Sequence, residues 1–145
     1  MTIPPRLRRT PEEAASLLQP RDSLAVPLGP GQPPALLGAL GEREDWEALQ
    51  VFSALLMGVY RLFTLSGVRM LSGFFGPVER GLVAAGHDVQ FVPADFRRFA
   101  RLLEQLRPRV IATAVAPPDG QGHMSLSLHA GAFVQEIPAG DEGSE

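Results

Sequence analysis

Residues 23–40 read SLAVPLGPGQPPALLGAL. The apolar run Ser23–Leu28 has the length of a buried strand, and Gly29–Pro33 forms a tight turn of glycine and proline. After the turn, alanine and leucine recur at helical spacing over Pro34–Leu40. A strand, a tight turn and a helix in this order begin a βαβ unit, which predicts a parallel sheet.

The same alternation of short apolar runs and helical stretches continues along the chain. Further helices are predicted at Thr10–Leu18, Pro77–Ala85 and Asp95–Arg107, the first with a capping box from Thr10 to Glu13. Further strands are predicted at Leu49–Leu56, Val68–Leu71, Val89–Val92, Arg109–Ala116 and His123–Leu128. Arg109–Ala116, which reads RVIATAVA, is expected to be the most buried strand, and Gly58–Ser66 fits either a short helix or a loop. The pattern predicts a three-layer α/β fold, a mainly parallel sheet with helices on both faces.

Length and composition narrow the class of protein. The 145 residues predict an extended tail at 1–9, a single domain over 10–137 and a flexible tail at 138–145. A net charge of −3 argues against a nucleic-acid partner, and the absence of cysteine excludes disulfides, thiolate metal sites and cysteine nucleophiles. Polar residues interrupt the longest apolar stretch, Val51–Leu65, so no membrane span is predicted. We therefore expect a cytoplasmic domain.

Ligand-binding loops are expected at one edge of the predicted sheet. Right-handed crossovers place the loops after Leu28, Leu56, Leu71 and Ala116 at the carboxyl edge, where open α/β sheets bind ligands. Gly29 and Gly31 would let a ligand approach the backbone at a helix N-terminus, although turn geometry alone also favours glycine there. Pro34 stands where the dinucleotide-binding fingerprint requires its third glycine, so that motif is absent.

The other loops leave alternatives open. In the stretch Ser72–Gly76, Phe74 and Phe75 either cap the core or form an apolar wall for an acyl group, with Arg80 one helical turn further on. His123 has no nucleophile placed beside it, and the three histidines, His87, His123 and His129, lack metal-ligand spacing. Neither Glu79 nor Glu136 has an identifiable activator. The residues alone therefore identify no metal site and no nucleophile.

Taken in chain order, these segments resemble the N-terminal domain of the acetyl-CoA hydrolase/transferase family, which includes acetate and 4-hydroxybutyrate CoA-transferases. Arg21–Val26 is similar to the family's "GD-x-V" strand, and Gly29–Leu40 to its glycine loop, proline and following helix. Phe74–Arg80, Gly86 and Val92–Pro93 follow its "F-x-G-x-x-R…G…x-P" order. Val115–Leu126 resembles its most specific element, the "SPPDxxGxxSLG" signature, and the resemblance spans residues 10–130.

The resemblance implies a CoA-transferase-like fold and an activity on CoA esters. Enzymes of this family move CoA between short carboxylic acids, or hydrolyse the thioester, through a glutamyl-CoA intermediate. Acyl-CoA and a small carboxylate would then be substrates, with no permanently bound cofactor. The N-terminal domain forms the acyl-side wall of a cleft, which implies substrate-binding roles for Gly29, Gly31, Phe74, Phe75, Gly76, Arg80, Pro118 and Asp119.

The family's nucleophilic glutamate and most of its CoA contacts belong to a second, C-terminal domain. No residue of this sequence aligns with that glutamate, so no catalytic residue is assigned. The chain also departs from the family at Ala116, where serine is usual, at Ser127, where glycine is usual, and in the apolar loop Leu55–Met57. A longer acyl chain or the loss of substrate binding would each follow from these departures.

Two hypotheses therefore stand. In the first, the chain is the acyl-side half of a CoA-transferase or acyl-CoA hydrolase, inactive alone and completed by a C-terminal domain or second subunit. In the alternative, it is a non-catalytic binding or assembly domain that keeps the fold. Both predict a homo-oligomer, because the face that normally meets the second domain would be exposed and apolar.

Overall fold

The computed structural model describes residues 8–93, 95 and 97–126. Five strands pair side by side in the order β4-β3-β2-β1-β5, and every pair is parallel. The strands are β1 (Arg21–Ala25), β2 (Ala48–Ser53), β3 (Val68–Ser72), β4 (Val89–Phe91) and β5 (Val110–Ile111). The helices are α1 (Pro11–Ala15), α2 (Pro34–Gly41), α3 (Pro77–Ala84) and α4 (Phe99–Leu106), with 3-10 turns at Gly29–Gly31 and Arg61–Thr64.

Helices cover both faces of the sheet because successive residues of each strand point to opposite faces. On β2, Leu49 and Val51 join a large core with residues of α1, α2 and α3. Phe52 points to the other face and joins a smaller core with Phe99 and Leu103 of α4. The predicted three-layer, parallel α/β fold is therefore confirmed.

The strand order reverses once, and this reversal locates the ligand-binding crevice expected of such a sheet. Strands β1 to β4 are added in one direction, and α4 then returns the chain to place β5 on the free side of β1. Since right-handed crossovers in opposite directions lie on opposite faces, α4 packs on the face away from α2 and α3. The topological switch point therefore lies between the carboxyl ends of β1 and β5.

Helix boundaries agree with several predicted signals. Thr10 and Glu13 form the predicted capping box: the Thr10 Oγ1 accepts from the Glu13 N–H at 3.2 Å, and Glu13 Oε2 accepts from the Thr10 N–H at 2.9 Å. However, α1 ends at Ala15, three residues before the predicted Leu18. Gly86 follows α3 with φ +84°, the left-handed conformation expected after a helix.

Other boundaries were predicted wrongly. The strand β1 ends at Ala25 rather than Leu28, because Pro27 has no N–H for the sheet. The helix expected from Asp95 begins at Phe99, and the Asp95 Oδ1 instead accepts the N–H groups of Arg97 and Arg98, both at 3.0 Å. The ambiguous stretch at 58–66 forms a 3-10 turn over Arg61–Thr64.

The last two predicted strands differ most from the structure. Only Val110–Ile111 of the predicted strand 109–116 is in the sheet, and it is half-buried, because among the described strands it neighbours β1 alone. Residues 123–126 form no strand; instead the Ala116 N–H donates to the Ser125 carbonyl at 2.8 Å and closes a loop. The remaining predictions, which concern the tails, Ser127, His129 and Glu136, fall outside the described residues, apart from the exposed Arg8 and Arg9.

Within the described ranges, no helix is both long enough and apolar enough to cross a membrane.

Candidate functional site

The loops that follow β1, β2, β3 and β5 are joined by backbone hydrogen bonds at the carboxyl edge of the sheet. The Gly29 N–H donates to the Ala54 carbonyl at 3.4 Å, and the Leu55 N–H donates to the Phe74 carbonyl at 3.2 Å. On the other side, the Ala114 N–H donates to the Gly31 carbonyl at 2.9 Å. The predicted convergence of these loops on one edge is therefore confirmed.

The glycine turn after β1 lies at the switch point. Both Gly29 and Gly31 are buried, and Gly29 has φ +55°, a conformation that side chains other than glycine adopt at a cost. A Cβ at Gly29 would lie 4.0 Å from the Met57 Sδ, which places this loop beside the one after β2. Because Pro33 and Pro34 have no N–H, the first turn of α2 can offer a ligand the N–H groups of Ala35 and Leu36.

Gln32 is a buried polar side chain that connects the first two loops. It is 3% exposed, and its Nε2 donates to the carbonyls of Ala54 at 3.2 Å and Leu55 at 3.4 Å. Its Oε1 accepts from the Met57 N–H at 3.2 Å. Both ends of the amide are therefore used to fix the backbone of the loop after β2.

Glu79 fixes the same loop from the opposite side. Its side chain is fully buried, and Oε1 accepts from the Leu56 N–H at 2.7 Å while Oε2 accepts from the Gly76 N–H at 2.9 Å. None of the ion pairs among the described residues includes Glu79. Sequence reasoning missed this role, although Glu79 stands three residues after Gly76, the spacing at which a helix-capping glutamate is found.

The residues of the third loop lie at the same edge. Phe74 is 41% exposed, and the Phe75 ring packs edge-on against Phe91 with centroids 5.3 Å apart. The Arg80 Nη1 donates to the Phe75 carbonyl at 3.0 Å, so its observed contact is with the loop. Gly73 has no space for a side chain, because a Cβ there would lie 2.5 Å from the Phe99 ring.

Pro118 and Asp119 belong to a separate loop. The Asp119 Oδ1 accepts from the N–H groups of Gln121 at 2.8 Å and His123 at 2.9 Å, and Oδ2 lies 3.6 Å from the His123 Nδ1. The backbone N–H of His123 is the main cause of a lowered pKa of Asp119. These polar contacts lie within the loop, whereas Thr113 and Ala114 are the residues of this segment that bond to Gly31.

Asp22, in the stretch that resembles the family's "GD-x-V" strand, belongs to a hydrogen-bond network that stabilises the fold. Its side chain is 1% exposed, and its carboxylate accepts from the N–H groups of Gln19 and Ser23 and from two nitrogens of Arg109. The Arg109 hydrogen bonds lower the pKa of Asp22 from 3.8 to about 2. Asp22 thus ties the start of β1 to the start of β5, at the edge opposite the candidate site.

The amino edge also carries a crevice, with a volume of about 620 Å³, between the starts of β2, β3 and β4. Its walls include Arg69 and Asp88, whose Nε and Oδ2 lie 2.8 Å apart and whose side chains are both about half exposed. Across the described part of the chain, no group of three histidine, aspartate or glutamate side chains could hold a metal ion.

Comparison with known proteins gives structural relatives. No family model matches the chain, and no curated protein matches it. The crystal structure of RipA from Yersinia pestis superposes with a TM-score of 0.76 at 27% sequence identity, over 86% of this chain and 32% of RipA. A mutant RipA structure gives a TM-score of 0.72 at 30% identity, over 81% of this chain and 31% of that one. The chain therefore spans about a third of the length of these structures.

Proposed function

We propose that this chain forms the acyl-side half of a CoA-transferase or acyl-CoA hydrolase that moves CoA between short carboxylic acids in the cytoplasm. The observation that carries the proposal is the meeting of the glycine loop at Gly29–Gly31, the apolar loop 54–57 and the phenylalanine loop 73–76 at the carboxyl edge of the sheet, where the glycine loop lies at the switch point. These loops include segments that resemble the acetyl-CoA hydrolase/transferase family. Their position is where a parallel α/β sheet binds its ligand.

The chemistry of these loops fits an acyl group, which has an apolar chain and an oxygen that accepts hydrogen bonds. Exposed parts of Leu55, Met57 and Phe74 supply apolar surface, and the N–H groups at the start of α2 supply donors for a thioester or carboxylate oxygen. Glu79 is unsuitable as the nucleophile, because it is fully buried and both of its oxygens accept backbone hydrogen bonds. A second domain or subunit would therefore supply the nucleophilic glutamate.

The experiment is an exchange assay between acetyl-CoA and labelled acetate, run with this chain alone and with a glutamate-bearing second domain of the same family. We expect exchange only when both halves are present. Phe74→Ala, at the carboxyl edge, should reduce the reconstituted rate, whereas Arg69→Gln, in the amino-edge crevice, should leave it unchanged. Substantial exchange by the isolated chain would contradict the proposal.

A second candidate function is a non-catalytic assembly domain of the same fold. The exposure of Met57 and Val59, 64% and 76%, favours it, because an exposed apolar loop is typical of a protein interface. Thermal unfolding in the presence of CoA, acyl-CoA and short carboxylates distinguishes the two functions. A rise in Tm with sub-millimolar acyl-CoA supports the enzyme half, and no rise with any of these ligands supports the assembly domain.

A further inference from the structure

The loop after β2 has a strained backbone conformation. Leu55 has φ +48°, in the left-handed region that residues other than glycine rarely adopt, and the residue is 39% exposed. A strained residue persists only where the surrounding structure fixes it. The Leu55 N–H donates to the Phe74 carbonyl, and side chains from two other elements make further hydrogen bonds to the loop.

Two buried side chains supply these contacts. Gln32 comes from the loop after β1 and Glu79 from α3, so they reach loop 54–57 from opposite sides. Glu79 accepts a hydrogen bond from the Leu56 N–H, and Gln32 accepts one from the Met57 N–H. Gln32 also donates to the carbonyls of Ala54 and Leu55. All four residues of the loop are therefore bonded to one of these two side chains.

Glu79 does more than cap its own helix. Its Oε2 accepts from the Gly76 N–H, as a helix-capping glutamate does, but its Oε1 accepts from the Leu56 N–H of loop 54–57. Gly76 also approaches closely, since a Cβ there would lie 3.0 Å from the Glu79 Oε2 and 3.1 Å from the Leu55 Cδ1. The carboxylate thus fits into a site that the surrounding backbone leaves open for it.

We infer that Glu79 and Gln32 are positioning residues, which hold loop 54–57 in its strained form so that Met57 stays beside Gly29 at the ligand-binding edge. The functional part of this inference rests on the proposed function: the held loop sets which acyl groups the edge accepts. Release of the loop would let Leu55 leave the left-handed conformation and would move Met57 away from the glycine turn.

Amide hydrogen exchange by NMR tests the positioning on the full chain. In Gln32→Leu, the Met57 amide should exchange on the order of tenfold faster or more, because it loses its acceptor, while the Leu56 amide keeps Glu79. In Glu79→Gln, one of the Leu56 and Gly76 amides should lose protection to a similar extent, because glutamine offers only one acceptor oxygen. Glu104→Gln, an exposed change on α4, is the matched control and should alter none of these amides.

Equal acceleration over all strands would overturn the inference, because it would mean that the two residues contribute only to global stability. Unchanged exchange in both variants would overturn it as well. If Glu79→Gln does not fold, the Gln32→Leu pattern decides.

Binding of acyl-CoA provides the functional readout. The ratio of the Kd values for acetyl-CoA and hexanoyl-CoA should shift at least about threefold in Gln32→Leu and stay unchanged in Glu104→Gln. A shifted exchange pattern with an unchanged ratio would overturn the selectivity role while leaving the proposed function intact. If the unaltered chain binds neither ester even when the second domain is present, the proposed function fails, and the exchange pattern alone then decides whether the residues position the loop.

Discussion

The buried carboxylate of Asp22 gives a stability prediction that can be worked out from the structure. The Asp22 carboxylate accepts hydrogen bonds from Arg109 and from the N–H groups of Gln19 and Ser23. Asp22→Asn replaces this carboxylate with a neutral amide. A pKa lowered from 3.8 to about 2 corresponds to about 2.5 kcal/mol of unfolding free energy at neutral pH. Because the Arg109 side chain is 48% exposed, water screens part of this attraction. We therefore expect a loss of about 1–2 kcal/mol.

The sign of the pH dependence follows from the direction of the shift. The pKa of Asp22 is lower in the folded chain than in the unfolded chain, so its contribution is complete above about pH 5 and is lost as the pH falls toward 2. At pH 3 the difference in unfolding free energy between the unaltered chain and Asp22→Asn should be about half of its value at pH 7. Above pH 5 the difference should not change with pH.

Urea unfolding measures these free energies, with the fluorescence of Trp46 as the signal. Trp46 is the one tryptophan of the sequence and is 6% exposed. The control is Glu47→Gln, which removes an ion pair with Arg21 whose side chains are 74% and 57% exposed and which should cost less than about 1 kcal/mol. Equal losses for Asp22→Asn and Glu47→Gln would refute the reasoning. So would a difference for Asp22→Asn that is the same at pH 7 and pH 3.

Three further substitutions test the packing and the helix start through thermal or urea unfolding. Gly73→Ala should lower the unfolding free energy by about 1–3 kcal/mol, because its Cβ would lie 2.5 Å from the Phe99 ring and displace α4; an unchanged value would contradict this packing. Gly81→Ala, inside α3 with nothing within 4 Å of the new Cβ, should instead raise it by about 0.5–1 kcal/mol. Thr10→Ala should cost about 1 kcal/mol through loss of the capping box, and a loss below about 0.3 kcal/mol would show that the first helix does not depend on it.

The fold could be predicted from the sequence because its signals are local. Apolar runs separated by glycine and proline predicted the strands. The start of the first helix was predicted from Thr10–Glu13 and the end of α3 from Gly86. Each of these signals depends only on residues that are neighbours in the chain. The segment 109–116 was placed wrongly for a tertiary reason. Its apolar composition predicts burial, but burial depends on how many strands pair with it, and among the described strands β5 pairs only with β1.

The candidate site could be predicted only in part. The glycine and phenylalanine loops were placed at the correct edge, because a parallel sheet brings the ends of its strands together. Gln32 and Glu79 were not identified as loop-fixing residues, since their hydrogen bonds to loop 54–57 join positions 22 to 25 residues apart that no local pattern connects. The substrate-binding roles predicted for residues of these loops, and for Pro118 and Asp119, all stay predictions.

The most direct test of the central claim is the location of ligand binding on this chain. A titration with acetyl-CoA, followed by two-dimensional NMR of the backbone amides, reports every residue that has a backbone N–H at once. We expect saturable shifts in the loops 29–31, 54–57 and 73–76, at the carboxyl edge of the sheet. Shifts confined to residues 64–69 and 86–88, which line the amino-edge crevice, would contradict it.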